Sequence, residues 1–281
     1  MQMDFPPGLY IVATPIGNLG DVSARAAAIL AAADIVAVED SRVTAKLLRH
    51  LGLHKKMRAY HDHSGERDRG ELLAAAGQGV VALVSDAGTP LISDPGYKLV
   101  RAAHAAGVLV TSAPGPSAAI MALSISGLPT DRFLFAGFLP TKDKAKADML
   151  AELSDLRATL IFYESGPRLG RTLGVMAKLL GEAREGAVAR ELTKRHEEVA
   201  TGTLAGLAER YAEGAPKGEI VLLVGPPLET ADAASEEQVE AALLEALDRL
   251  PTSKAAGEVA RRFGRDRKAL YALATELKAR S

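Results

Sequence analysis

Short, continuously apolar runs alternate with stretches whose apolar residues recur at helical spacing. Runs at Tyr10–Ala13, Ile35–Val38, Val80–Val84 and Val108–Thr111 read as strands buried on both faces. Between them, Ala24–Ala33, Thr44–Leu51, Glu71–Ala76, Tyr97–Ala106 and Ala118–Ile125 read as helices. Such alternation predicts a parallel sheet flanked by helices over residues 1–127. After Gly127-Leu128-Pro129-Thr130 the pattern changes. Apolar runs at Phe133–Phe138, Thr159–Tyr163, Gly186–Arg190, Glu197–Thr201 and Glu219–Val224 enclose helical stretches at Ala145–Leu153, Leu169–Leu180 and Leu204–Tyr211. This is read as a second α/β domain with a mixed sheet over residues 128–227, closed by Gly225-Pro226-Pro227.

Residues 228–281 are purely helical in pattern. Ser235 precedes Glu236–Leu247, Ser253 precedes Lys254–Phe263, Gly264 is a stop, and Asp266 caps Arg267–Leu277. The result is a small helical appendix with the look of a helix-turn-helix. Charge sharpens this boundary. The formal net charge is −1, and residues 1–225 are balanced, but residues 226–248 hold seven acids and no Lys or Arg. From Arg249 onward nine basic residues face three acids, a net of +6. A tail of this kind can follow a polyanion, or it can be a solvated helical face.

Composition excludes several classes of function. There are no cysteines, hence no disulfide, thiolate metal site or Cys nucleophile. No apolar run approaches the roughly 18 residues of a membrane span, and no basic-then-apolar leader is present, so a cytoplasmic location without membrane contact is expected. His61-Asp62-His63 puts two imidazoles on one face of an extended segment, but no third ligand of suitable spacing accompanies them, and no metal is expected.

Two loops carry the first chemical signal. Thr14-Pro15-Ile16-Gly17-Asn18-Leu19-Gly20 follows the first strand, and Ser85-Asp86-Ala87-Gly88-Thr89-Pro90 follows the third. Loops at the carboxyl ends of parallel strands bring backbone donors and helix N-termini into one crevice, where ligands bind. Neither a Gly-x-Gly-x-x-Gly fingerprint nor a Gly-x-x-x-x-Gly-Lys-Ser/Thr loop occurs, so the usual nucleotide occupants are not indicated.

Read together with Val38-Glu39-Asp40-Ser41-Arg42, His61-Asp62-His63, Asp94-Pro95-Gly96, Pro114-Gly115-Pro116-Ser117-Ala118, Phe162-Tyr163-Glu164-Ser165 and Ala189-Arg190-Glu191-Leu192-Thr193-Lys194, the loops form an ordered signature. It resembles that of the small-subunit ribosomal RNA (cytidine-2′-O)-methyltransferases of the tetrapyrrole methylase superfamily, from about Leu9 to Val224. The resemblance implies two α/β domains of the tetrapyrrole methylase type, S-adenosyl-L-methionine in the interdomain cleft, a homodimer, and a small basic helical C-terminal domain. It further implies methylation of a cytidine ribose in the decoding region of 16S rRNA, on the free RNA or the small ribosomal subunit.

Within that frame the residues acquire roles. Pro15 and Gly17 shape the first loop for close approach of a ligand, with Asp21 and Ser23 as helix caps, although a plain tight turn would give the same string. Asp86 can accept hydrogen bonds from the cofactor or attract its sulfonium, or simply cap. Gly88 and Thr89 shape the surface beside it. Ser117 and Ala118 open a helix whose free N–H groups suit a carboxylate. Tyr163 can pack on adenine or serve as core. Similarity to the superfamily adds Arg190, Pro216 and Lys217 as cofactor contacts.

Methyl transfer needs alignment and removal of a proton from a poor acid. Asp40, His61 and His63 are candidates to accept that proton or orient the ribose, with Arg42 and Lys194 holding phosphate. Lys142 and Lys144, in the basic loop Thr141–Lys146, and Arg261, Arg262, Arg265, Arg267 and Lys268, in the tail, are candidates for RNA contact. Two alternatives stand beside this reading: a tetrapyrrole acceptor, or a non-catalytic RNA-binding assembly factor.

Overall fold

The computed structural model describes residues 4–61, 64–228, 236–263 and 265–280. Contacts divide the chain into two units, residues 1–227 and 228–281.

The first unit holds two five-stranded sheets. In the first, β1 (Gly8–Val12), β2 (Ile35–Val38), β3 (Met57–Ala59), β4 (Val80–Leu83) and β5 (Val110–Ala113) lie in the order β3-β2-β4-β1-β5. All its pairings are parallel. The period of two along β1 sorts its side chains to opposite faces. Tyr10 and Val12 pack with Ile29 and Leu30 of α1 (Ala24–Ala32) and Leu47 and Leu48 of α2 (Ser41–His50). Leu9 and Ile11 pack on the other side with Leu72 of α3 (Glu66–Ala76) and Leu99 of α4 (Tyr97–Ala105). Both faces are therefore covered, as the uninterrupted apolar runs require.

The second sheet contains β6 (Phe133–Phe138), β7 (Thr159–Ser165), β8 (Glu185–Arg190), β9 (Glu198–Thr203) and β10 (Glu219–Val224), ordered β6-β7-β10-β8-β9. β6 and β7 are parallel and every other pair is antiparallel, which makes the sheet mixed. One face is covered by α6 (Asp143–Glu152), α7 (Leu169–Leu180) and α8 (Leu204–Arg210), through Leu150, Leu173 and Leu207. The other face receives α5 (Ala118–Ile125), whose Ala119, Ala122 and Leu123 pack on Ile161, Ala187 and Leu223. Since α5 leads directly out of β5, it binds the two sheets into one body.

Some expectations shift. β3 is an additional strand, too short and too polar in Met57-Arg58-Ala59 to carry an apolar run. β5 begins at Val110 rather than Val108. The basic stretch Thr141–Lys146 is not a loop throughout: α6 starts at Asp143, and Lys146 is buried at 2% exposure because its amine reaches a partner inside the second lobe.

In the second unit α9 (Glu236–Arg249), α10 (Thr252–Phe263) and α11 (Arg267–Arg280) enclose Leu243, Ala255, Val259, Leu270 and Ala274. Asp266 caps α11 by accepting from the Ala269 N–H at 2.9 Å. Ser253 lies inside α10 rather than at its cap, and its hydroxyl accepts from Arg267. The proposed cap Ser235 and stop Gly264 lie outside the described residues.

Candidate functional site

The loops singled out in sequence are bonded to one another. Thr14 and Gly88 exchange backbone hydrogen bonds of 2.8 and 3.0 Å, which fastens the first loop to the one after β4. Gly88 adopts φ +80°, a conformation that favours glycine. The Asp86 carboxylate accepts from the backbone N–H of Asp40 at 3.0 Å, tying the same loop to the start of α2. Thr89 donates its hydroxyl to the Pro116 carbonyl at 3.0 Å, so the segment before α5 joins the cluster. Four chain segments thus meet at the carboxyl end of the parallel sheet.

A cavity of about 310 Å³ opens between this cluster and the second sheet. Its first wall is Ile16, Ala87–Thr89, Ile92–Asp94, Ser117 and Ala118; the opposite wall is Phe138, Tyr163–Ser165, Leu192 and Gly218–Val221. Tyr163 stands edge-on to Phe135 and Phe138, with ring centroids 4.8 and 5.4 Å away. Burial pushes its phenol up, opposed in part by a hydrogen bond with the Ala119 backbone amide. Ser117 makes no capping bond with α5, which leaves its hydroxyl beside the helix N-terminus at the cavity wall.

The second wall is backed by strained and tightly packed loops. Leu192 is flanked by Glu191 at φ +52° and Thr193 at φ +65°, and across the cavity Leu91 and Ser93 have φ +73° and +62°. Non-glycine residues hold such angles only where surrounding structure imposes them, and such residues cluster at functional sites. Gly17 explains part of the constraint. A Cβ there would lie 2.6 Å from Lys194 Cγ and 2.7 Å from Thr193 Oγ1, so the first loop touches the second lobe through this glycine. Gly166 is tighter still, since a Cβ there would fall 1.6 Å from the Pro216 carbonyl oxygen.

Of the eleven cofactor candidates, Gly88, Thr89, Ser117, Ala118 and Tyr163 line this cavity. Arg190, Pro216 and Lys217 stand behind its wall. Arg190 is held by Glu198 at 2.9 Å and by the Lys217 carbonyl at 3.2 Å, while Pro216 packs over Gly166. Pro15, Gly17 and Asp86 instead line an adjoining cavity of about 450 Å³, together with Thr14, Val43, Thr44, Lys46, Ser85 and Lys194. The two cavities share Ile16, Ala87 and Glu219.

Asp40, Arg42 and His61 line neither cavity. Asp40 caps α2 through the Arg42 N–H at 2.8 Å, and the Arg42 side chain bonds its carboxylate, which lowers its pKa to about 2. A carboxylate so stabilised is a weak proton acceptor. His61 donates its backbone N–H to the Ser64 hydroxyl, and His63 lies outside the described residues. Lys194 pairs with both Glu191 and Glu219 at 2.9 Å; burial lowers its pKa, but the bonds with Glu219 and Glu191 outweigh that and raise it. Lys144 pairs with Asp148, and exposed Lys142 precedes α6.

A buried network behind the cavity was not visible as such in the sequence. The Glu164 carboxylate accepts from the Thr172 hydroxyl at 2.7 Å and from the Ser165 N–H at 2.8 Å, and lies 3.2 Å from Arg168 Nε. Lys146 donates to the same Thr172 hydroxyl at 3.1 Å. Only the string Phe162-Tyr163-Glu164-Ser165 hinted at it, because the partners come from helices whose basic residues look solvated.

In the second unit Lys254, Arg261, Arg265 and Arg267 border a concave surface on α10 and the start of α11. Arg262 and Lys268 do not line it, and Arg262 lies over the Phe263 ring at 5.1 Å. Among the described residues no group of His, Cys, Asp and Glu could hold a metal ion.

Two sheets, a bridging helix and a cavity at their junction define a methylase architecture. The model of the tetrapyrrole (corrin/porphyrin) methylases matches residues 8–208, and the chain belongs to that family. Over nearly its whole length it is similar to proteins called ribosomal RNA small subunit methyltransferase I. It is 56% identical over 272 residues to that of Erythrobacter litoralis, covering 97% of this chain and 96% of the relative. It is 50% identical over 274 residues to that of Mesorhizobium japonicum, covering 97% and 92%. Residues 232–278 match the RsmI C-terminal HTH domain. The solved uroporphyrin-III-C-methyltransferase of Thermus thermophilus shares the fold, with a TM-score of 0.56 at 23% identity over 78% of this chain and 94% of that one.

Proposed function

We propose that this chain is an S-adenosylmethionine-dependent methyltransferase whose acceptor is the ribose 2′-hydroxyl of a cytidine in the decoding region of 16S rRNA. The observation that carries the proposal is the full-length similarity to ribosomal RNA small subunit methyltransferase I, which includes both the cavity and the basic helical unit.

The cavity fits the donor by the chemistry of its lining. Ser117 and the N-terminus of α5 suit a carboxylate, Asp94 adds an acidic group to the lining, and Ile16, Ile92, Phe138 and Tyr163 offer apolar surface to a heterocycle. S-adenosylmethionine, when bound, supplies a methyl group on a positive sulfonium. The protein's own task is then alignment, exclusion of water and acceptance of one proton. Thr14, Gly88 and Thr89 fix the loops that align the site, and apolar side chains from both sheets exclude water. Because Arg42 holds Asp40 ionised, Asp40 is a weak candidate to accept that proton, and neither it nor His61 lines either cavity. Lys254, Arg261, Arg265 and Arg267 hold RNA phosphates, with Arg262, Lys268, Lys142 and Lys144 as outlying contacts. The same reading includes a homodimer and a cytoplasmic location; among the described residues no helix is long and apolar enough to cross a membrane.

Methyl transfer from labelled S-adenosylmethionine to small-subunit RNA and to a porphyrinogen tests the proposal. Label on a ribose oxygen of 16S rRNA supports it. Label on the porphyrinogen overturns the acceptor, and donor binding with no transfer to either overturns the activity.

A further inference from the structure

We infer that the second cavity, walled by α2, the first loop and the Ser85–Ala87 turn, receives the acceptor nucleotide, with Thr44 binding its 2′-hydroxyl and Lys46 its phosphate. The inference rests on the methyl-transfer reading and assigns a place to its acceptor.

The first observation is adjacency. A methyl moves between donor and acceptor only when the reacting atoms approach to about 3–3.5 Å, so the acceptor site must open on the donor cavity. The second cavity does so across Ile16, Ala87 and Glu219. Its volume is about 450 Å³, and its lining includes the exposed Lys46.

The second observation is an orphaned hydroxyl. Thr44 is 3% exposed and lines this cavity, yet its Oγ1 has no hydrogen-bond partner. Buried hydroxyls are nearly always bonded, and a helical threonine usually bonds the carbonyl four residues back. Threonine in a helix also divides between two χ1 wells, so the hydroxyl can turn to a guest without moving the backbone. A bound ribose supplies the missing partner.

The third observation is charge. Lys194 on the same wall is committed to Glu191 and Glu219, whereas Lys46 makes no ion pair among the described residues. Asp86, oriented by the Asp40 N–H, lines the same cavity. A cation at the rim and hydroxyl-binding groups within match a nucleotide, phosphate outward and ribose inward.

Calorimetric titration of the full chain with cytidine 2′-hydroxyl and 2′-deoxy monophosphates, in the presence of S-adenosylhomocysteine, tests this apart from activity. The wild type is expected to prefer the ribonucleotide by about two- to tenfold, the worth of one net hydrogen bond. Thr44→Val is expected to fold at least as stably and to bind the two alike. Lys46→Ala is expected to weaken both by a similar factor and to leave the preference intact. No preference in the wild type, or a preference that survives Thr44→Val, overturns the inference. RNA methylation that fails while the ribonucleotide preference and its loss in Thr44→Val both hold would instead count against the functional reading.

Discussion

The two walls of the cavity between the sheets are built by different rules. The wall from the first sheet consists of loops at the carboxyl ends of parallel strands, and Gly88, Thr89, Ser117 and Ala118 all reach the cavity. The wall from the second sheet comes from a mixed sheet, and of the second-lobe candidates only Tyr163 reaches it, while Arg190, Pro216 and Lys217 stand behind. A parallel sheet has one end at which its loops converge. A mixed sheet has no such end, so the side of the strand that faces a ligand is decided by packing. Leu192, Gly218 and Glu219 are there because tight glycine contacts and left-handed backbone turns place them there.

Breaking the second wall should have the largest effects. Glu164→Ala removes a fully buried carboxylate from between Arg168 and Thr172, and is expected to cost about 3–5 kcal/mol, the range for breaking a buried ion pair. Urea denaturation measures it, and a loss below about 1 kcal/mol would show the network to be idle. Gly166→Ala drives a methyl into the Pro216 carbonyl and should cost about 1–3 kcal/mol while weakening donor binding. Gly17→Ala, meeting Lys194 and Thr193, is expected to fall at the lower end of that range and to displace the Leu192 segment. Donor affinity near that of the wild type in both variants would mean that the close approaches do not shape the cavity.

The first wall should respond differently. Ser117→Ala forfeits no capping bond, so stability should change by no more than about 0.5 kcal/mol. Donor affinity is nevertheless expected to fall about two- to tenfold. A stability loss without an affinity loss would make Ser117 a structural residue. The smallest effect concerns pH. Because Asp40 has its pKa lowered by Arg42 to about 2, its favourable contribution is complete above the ordinary carboxylate range and fades as pH falls towards that value. The rate of methyl transfer should therefore show no Asp40 limb in the neutral range. A limb in that range that disappears in Asp40→Asn would contradict this.

What was legible in the chain follows the same division. The alternation of apolar runs with helices and the shift in pattern after Gly127 were readable because each depends on local periodicity. The union of the two sheets through α5 was not, since Ala119, Ala122 and Leu123 look like any apolar helix face. Lys146 was read as part of a basic loop, although its amine is buried against Thr172; a lysine's sequence neighbours do not reveal a partner 26 residues away. Asp86 was read as a cofactor ligand, and the structure sets it on the adjoining cavity, where it braces α2. The first loop lines a cavity, and Gly17 within it also makes a close approach to Lys194 and Thr193 of the second lobe that its sequence neighbours do not reveal.

If the cavity between the two sheets carries the methyl donor for ribosomal RNA methylation, filling it abolishes the modification. Ala118 lines that cavity at the start of α5, so Ala118→Phe should plug it. The most direct measurement is mass mapping of 16S rRNA from cells whose only copy of the chain is the wild type or this variant, matched for folded protein. One ribose methyl in the decoding region is expected with the wild type and none with Ala118→Phe; a methyl retained at full occupancy in the plugged variant would rule out donor binding in this cavity.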